Sequence, residues 1–284
     1  MVQKYIIGLG CSWTQGQGAY PDDVWKTYNG KMGSHLLGQP DFHLRKYEHE
    51  NSWVNLLSKN YLDDHTSVNL GHLGIGIRGS TNQLHFCDKV DFDNSSGHII
   101  LLLSGIDRFD VFKKKPYNNV NKDPVDDGYS NGDYKHYKWQ VLKPIPHDGG
   151  PWEPLWTGYA NILHSDQFVA NETLMSLLNL QTFAQRYNFK LTVVNAFNPF
   201  NVEEYIKSNA GSIANKFNWD CYHDDAMIWK LLEADGHENP KDKGFNYYYQ
   251  LYSQNDWPTK HLTNCFHPTI EGYKIIAKEI HSFL

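Results

Sequence analysis

The apolar positions fall into two rhythms that alternate along the chain. Tyr5–Gly8 is a short apolar run that passes into glycine-rich sequence, and it predicts a first buried strand. Ser52–Leu62 carries Trp53, Val54, Leu56, Leu57 and Tyr61 near helical spacing, with Asn51 or Ser52 able to cap its start. Ser67–Leu70 is expected to be a second strand, closed by Gly71, Gly74 and Gly76, and Ser80–Val90 a weaker helix. In His98–Leu103 five consecutive aliphatic residues follow the histidine, as suits a strand buried on both faces. Asp166–Tyr187 sets Phe168, Leu174, Leu177, Leu178, Phe183 and Ala184 along one broad helical face, with Ser165 or Asp166 at its start. Leu191–Val194 follows as another strand. Thr269–Phe283 closes the chain, with Ile270, Tyr273, Ile276, Ala277, Ile280 and Phe283 at helical spacing.

Strands alternating with helices predict an α/β fold, a three-layer α/β/α sandwich around a central, mostly parallel sheet of flavodoxin-like kind. Three segments break the rhythm: Ala19–Glu50, Asp110–Leu163 and Asn201–Leu262. They are rich in Gly, Pro, Asn, Asp, Tyr and Trp, and read as long loop insertions on a single domain spanning residues 1–284. No internal repeat and no low-complexity linker marks a second domain.

Composition narrows the function classes. The chain is 40% hydrophobic and 20% charged over 284 residues, so a sizeable core can form. A formal charge of −6 argues against nucleic acid or an anionic membrane as partner, because phosphate binding needs a basic field. Nothing approaches the roughly 18 consecutive apolar residues of a membrane span. The apolar stretch within Met1–Gly10 is too short for a signal-peptide core, and no small-residue cleavage site follows. Cys11, Cys87, Cys221 and Cys265 show neither metal-type spacing nor disulfide-rich density, which points to a reducing, cytoplasmic setting. Export without a signal, as part of a virus particle, stays open, as does self-association. No metal or organic cofactor is called for.

The first strand runs directly into Gly10-Cys11-Ser12-Trp13-Thr14-Gln15-Gly16. A serine held just past a buried strand between glycines can expose its hydroxyl at a sharp turn. The N-terminus of the following helix can then aim N–H groups at a developing negative charge. At the other end of the chain His267-Pro268-Thr269 precedes the terminal helix. Loops of both kinds reach the crevice at the strand ends of a parallel sheet, where a histidine can take the serine proton.

With these blocks the sequence resembles the SGNH (GDSL-type) hydrolase superfamily, over the whole chain as scattered motifs. The resemblance implies that Ser12 is the nucleophile and that its backbone N–H is one oxyanion donor. Asn69-Leu70-Gly71-His72-Leu73-Gly74 is similar to the block that supplies the oxyanion-hole glycine, matched here by Gly74, with Gly76 next. Asn264-Cys265-Phe266-His267-Pro268, followed by Gly272-Tyr273, resembles the last block and makes His267 the general base. Two positions depart from the pattern. Asp107 stands where the family places an oxyanion-hole asparagine, and a carboxylate accepts hydrogen bonds where an amide donates them. Asn264 stands where the family has the aspartate that orients the histidine; Asp256 or a backbone carbonyl are the alternatives. Ser104 and Arg108 fit a Ser-x-x-x-Arg pattern of relatives in phage genomes, which makes Arg108, with Trp13 beside the serine, a candidate for substrate binding.

The Asp110–Leu163 segment carries Tyr117, Tyr129, Tyr134, Tyr137, Trp139, Trp152, Trp156 and Tyr159 among polar neighbours. Amphipathic rings of this kind make platforms for sugars. The expected function is therefore a serine esterase acting on a small acyl ester, an O-acetylated glycan being one such substrate. The alternatives are an SGNH-fold protein of weak or no activity that binds a glycan, and a virion structural protein.

Overall fold

The computed structural model describes residues 2–27, 42–71, 76–85, 87–114, 137–142, 153–254 and 258–284. The chain begins with β1 (Gln3–Gly10), turns through the short α1 (Ser12–Gln15), and continues through α2 (Asp22–Thr27), α3 (Phe42–Asn51) and α4 (Trp53–Tyr61) to β2 (Thr66–Asn69). Next come α5 (Ile77–His85), β3 (Ser95–Leu103), and the pair β4 (Phe109–Lys114) and β5 (Tyr137–Leu142), which form an antiparallel ribbon. After α6 (Glu153–Gly158) and a π-helical turn (Tyr159–Leu163), the chain runs through α7 (Asp166–Arg186), β6 (Phe189–Asn195) and α8 (Val202–Ala210). It ends with β7 (Tyr222–His223), α9 (Met227–Ala234), α10 (Phe245–Ser253) and α11 (Ile270–Phe283).

The central sheet has five strands in the order β2-β1-β3-β6-β7, all parallel. Ile7 of β1 pairs with Val68 and Ile99, and Ile99 of β3 pairs with Leu191. The period-two geometry of a strand then sorts the side chains. Tyr5, Ile7, Leu9, Ile99, Leu101, Leu103 and Val193 face α5, α7 and α8; Ile6, Ile100, Leu102 and Val194 face α4, α9, α10 and α11. Because both faces are covered, β3 needs apolar residues at every position, which is why it reads as an unbroken run. The result is the expected three-layer α/β/α sandwich. Ser52, Ser165 and Thr269 accept hydrogen bonds from Asn55 N, Phe168 N and Gly272 N, and so set the starts of α4, α7 and α11.

The segment 201–262 differs from its reading as an insertion. It supplies α8, whose Val202 and Ile206 are in the core, the fifth strand of the sheet, and α9, which buries Met227, Ile228, Trp229, Leu231 and Leu232. β7 escapes a sequence reading because only Tyr222 and His223 pair with β6. The helix expected at Ser80–Val90 starts at Ile77 and ends at His85. No helix among the described residues is long and apolar enough to cross a membrane.

Strand order also locates a crevice. β2 and β3 lie on opposite sides of β1, so the connections leaving β1 and β3 diverge at their C-terminal ends. Ligands of open α/β sheets bind at such a switch point.

Candidate active site

At the end of β1 the chain must turn within a crowded space. Gly10 has φ +143, and a methyl group there would lie 2.4 Å from Thr14 Oγ1 and 2.7 Å from Leu102 O. Thr14 Oγ1 donates back to Leu9 O at 3.0 Å, and Gly16, left-handed at φ +100, donates its N–H to Ser12 O. This strand–turn–helix holds Ser12 at the start of α1 with 7% of its surface exposed. Asn69 braces α1 from β2: its Nδ2 donates to Thr14 O at 2.7 Å, and its Oδ1 accepts from Gly71 N at 2.9 Å. A methyl group on Gly71 would meet Gln15 N at 2.3 Å, so this close approach requires glycine.

His267 is presented by a tight hairpin before α11. Leu262 bridges Pro268, Thr263 N donates to His267 O at 2.8 Å, and His267 N donates to Thr263 Oγ1 at 2.9 Å. Within the turn Phe266 is left-handed at φ +63, unusual for a large side chain. Its ring is buried against Phe245 and Tyr252, so packing holds the strained residue in place. Gly18 and Tyr273 join the hairpin to the serine turn: a methyl group on Gly18 would lie 2.7 Å from Pro268 O, and Tyr273 Oη donates to Gln17 O at 3.0 Å. The two ends of the chain thereby meet. Ser12 Oγ and His267 Nε2 are 2.8 Å apart across 255 residues of sequence.

Burial lowers the His267 pKa to about 4, and the Arg108 guanidinium pushes the same way; the Cys265 backbone carbonyl pulls against them. The ring is therefore neutral at pH 7. For Nε2 to accept the serine hydrogen, Nδ1 must carry the proton. Nδ1 is buried, and among the described residues the Cys265 backbone carbonyl is the acceptor whose influence reaches the ring. Asn264, the residue expected to orient the ring, does not bond it; it sits in the turn that the Thr263–His267 bonds close. Asp256 lies outside the described residues, as does Gly74, the expected oxyanion-hole glycine. The carbonyl of the second candidate, Gly76, accepts from Ser80 N and Oγ at the start of α5.

The loop after β3 is held by two asparagines that the sequence reading missed. Asn198 Nδ2 donates to Ser104 O at 3.1 Å, and Asn198 Oδ1 accepts from Ile106 N at 3.4 Å. Asn195 in turn holds Asn198, its Oδ1 accepting from the Asn198 N–H and its Nδ2 donating to Asn198 O and Asp224 O. Asn195 closes β6 and Asn198 stands just before Pro199, and those places are the one signal that could have marked them. Tyr159 Oη donates to Asp107 O at 2.9 Å.

Asp107 and Arg108 follow at the end of the same loop. The carboxylate adds to the push that raises Tyr205, whose phenol is held up first by burial and then by its bond to Asp166. The influence of Arg108 falls on His267. Asp107 Oδ1 and Arg108 Nε both lie beside Gly105, where a methyl group would meet them at 2.7 and 3.7 Å. Arg108 lies over the Phe197 ring at 5.6 Å, and Phe197 packs on Trp13 at 5.5 Å. Arg108 makes no ion pair among the described residues.

Comparison with known proteins adds little. No family model matches the chain, and no curated protein does. Among solved structures it is similar to Axe2, an acetylxylan esterase from Geobacillus stearothermophilus, at 13% identity and a TM-score of 0.40, covering 99% of this chain and 95% of that one. It is also similar to the lipase Lip_vut3 from a goat rumen metagenome, at 10% identity and a TM-score of 0.38, covering 99% and 97%. Likenesses this loose do not carry a function across.

Of the aromatic residues expected to offer a sugar platform, Tyr159 does not. It is 2% exposed and pins the loop after β3. Tyr117, Tyr129, Tyr134 and Trp152 lie outside the described residues, and of Tyr137, Trp139 and Trp156 only the backbone is described. Cys11 and Cys265 are not in disulfides; Cys265 Sγ meets Thr263 Oγ1 at 3.4 Å, and burial raises its pKa. Among the described residues no group of three or more His, Cys, Asp and Glu side chains gathers as a metal site.

Proposed function

We propose that the chain is an SGNH-type serine esterase that cleaves a small acyl ester through an acyl-enzyme. The observation that carries this reading is the 2.8 Å contact between Ser12 Oγ and His267 Nε2 at the C-terminal end of a parallel sheet. In the first step Ser12 Oγ bonds to the ester carbonyl carbon while its proton passes to His267 Nε2, leaving a tetrahedral oxyanion. Collapse breaks the C–O bond of the leaving alcohol, which takes the proton from His267. Water, deprotonated by the same nitrogen, then releases the acid and restores Ser12. The Ser12 N–H is the oxyanion donor favoured by the geometry of the turn. Gly71 N is already committed to Asn69. Arg108 is the side chain that a substrate would meet, with Phe197 under its guanidinium and the buried Trp13 packed behind that ring, and an O-acetylated glycan is the substrate class in view.

One observation favours a second reading, a binding protein of weak or no activity. Among the described residues no carboxylate bonds His267 Nδ1 to stabilise the imidazolium; in a serine protease, neutralising such a carboxylate lowers turnover by about 10⁴. The test is hydrolysis of 4-nitrophenyl acetate, together with labelling by a serine-directed phosphonate, for the wild type beside Ser12→Ala. Hydrolysis and labelling that both vanish in the mutant support the esterase. Labelling absent from the wild type, with rates equal in the two proteins, would favour the binding reading.

A further inference from the structure

The hairpin that carries His267 is anchored on its far arm by a carboxylate that takes no part in the chemistry above. Asp235 ends α9, and its side chain is 5% exposed; the side chain of His261, its partner, is 8% exposed. Asp235 Oδ1 accepts from His261 Nδ1 at 2.8 Å and from His261 N at 3.2 Å. Oδ2 accepts from Thr259 Oγ1 at 2.6 Å and from Tyr252 Oη at 2.8 Å, and Tyr252 Oη also meets His237 Nε2 at 3.2 Å. A buried carboxylate is expensive unless its oxygens are satisfied, and here each accepts twice.

These bonds continue to His267 without a gap. Thr259 N donates to Leu262 O, Thr269 N donates to His261 O, Leu262 bridges Pro268, and Thr263 bonds His267 in both directions. The arm at 259–263 is tied to Asp235, and the arm at 267–269 is tied to that first arm. Asp235 thus acts on the imidazole only through the hairpin. At the ring itself the Cys265 backbone carbonyl is the acceptor whose influence is felt, and among the described residues no carboxylate bonds Nδ1. In a serine–histidine site with a carboxylate at the ring, orientation and charge stabilisation come from one group. Here the orienting part is exerted from behind, on the backbone.

We propose that Asp235 is a positioning residue for His267: it fixes the hairpin and so holds Nε2 within reach of Ser12 Oγ. The kinetic side of this inference rests on the esterase reading; the geometric side does not. The test uses the full chain with ¹⁵N-labelled histidine, and the His267 ring resonances are assigned by their loss in His267→Ala. In Asp235→Ala they should move toward their positions in Ser12→Ala, as expected when the Ser12 contact loosens. On 4-nitrophenyl acetate kcat should fall by about tenfold to a hundredfold with KM nearly unchanged, the cost of an ångström-scale misplacement. Asp235→Asn should recover most of both signals, because its Oδ1 still accepts from His261 and its amide can donate to Thr259 and Tyr252. If Asp235→Ala does not fold by circular dichroism, Thr259→Val, which removes one donor to Oδ2, is read in the same way with a smaller displacement. His267 resonances that stay at wild-type positions in a folded Asp235→Ala or Thr259→Val protein overturn the proposal. A wild type without esterase activity defeats the esterase reading instead, and leaves the resonances to decide the role of Asp235.

Discussion

Acidifying the protein should leave ester hydrolysis running well below the pH at which an ordinary histidine base shuts off. A general base works only while it is neutral, and His267 is lowered from 6.5 to about 4, chiefly by burial and further by Arg108. At a pH of about 5.5 an unperturbed histidine is only about 10% neutral, whereas His267 is about 97% neutral. The acid limb of kcat/KM should therefore lie near pH 4. Arg108→Gln removes one of the two lowering influences and should move the limb upward. It should not reach 6.5, because burial is the larger cause. The assay is pH-stat hydrolysis of an acetate ester from about pH 3.5 to 8, with Ser12→Ala as the blank. Unfolding has to be followed beside it, since the same titration is linked to stability. The folded protein resists protonating His267, so this contribution is complete above pH 6.5, falls as pH drops toward 4 and is lost below it. For His267 it amounts to about 3 kcal/mol. His98, lowered to about 4 by burial and by the nearby His65 and Lys190, adds a loss in the same window. A wild-type limb near 6.5 while the protein stays folded, or an Arg108→Gln limb that does not rise, would refute the electrostatic account of the site.

Other perturbations test single contacts. Asn264→Ala should change kcat by less than about threefold, well short of the cost of losing an orienting carboxylate, because Asn264 makes no bond to His267; a hundredfold loss would mean that it acts on the ring. Asn198→Ala removes the bonds to the Ser104 carbonyl and the Ile106 N–H and should cost about 1–3 kcal/mol, read as a lowered Tm in calorimetry. Gly71→Ala forces a methyl group onto the backbone of α1 and should cost about 1–3 kcal/mol, with a fall in phosphonate labelling of Ser12. An unchanged Tm in either variant would show that its contact is slack.

Much of this protein is legible in local pattern. β1, β3, β6, α4, α7 and α11 follow from hydrophobic period and capping residues, since a period records which face of an element meets the core. Ser12 and His267 stand out because their neighbours in sequence, glycines after a strand and a proline before a helix, determine their backbone turns. Other features are decided only when distant segments pack. β7 exists because β6 offers it an edge, and two residues carry no pattern of their own. Asn195 and Asn198 become a clasp only against Ser104 and Ile106, more than ninety residues upstream of Asn198. The lowered pKa of His267 and the fourfold bonding of Asp235 likewise require burial, and burial belongs to the whole fold. Sequence alone marked these six elements and singled out Ser12 and His267; the tertiary structure decided which polar groups surround that pair, because desolvation and long-range hydrogen bonds have no local period.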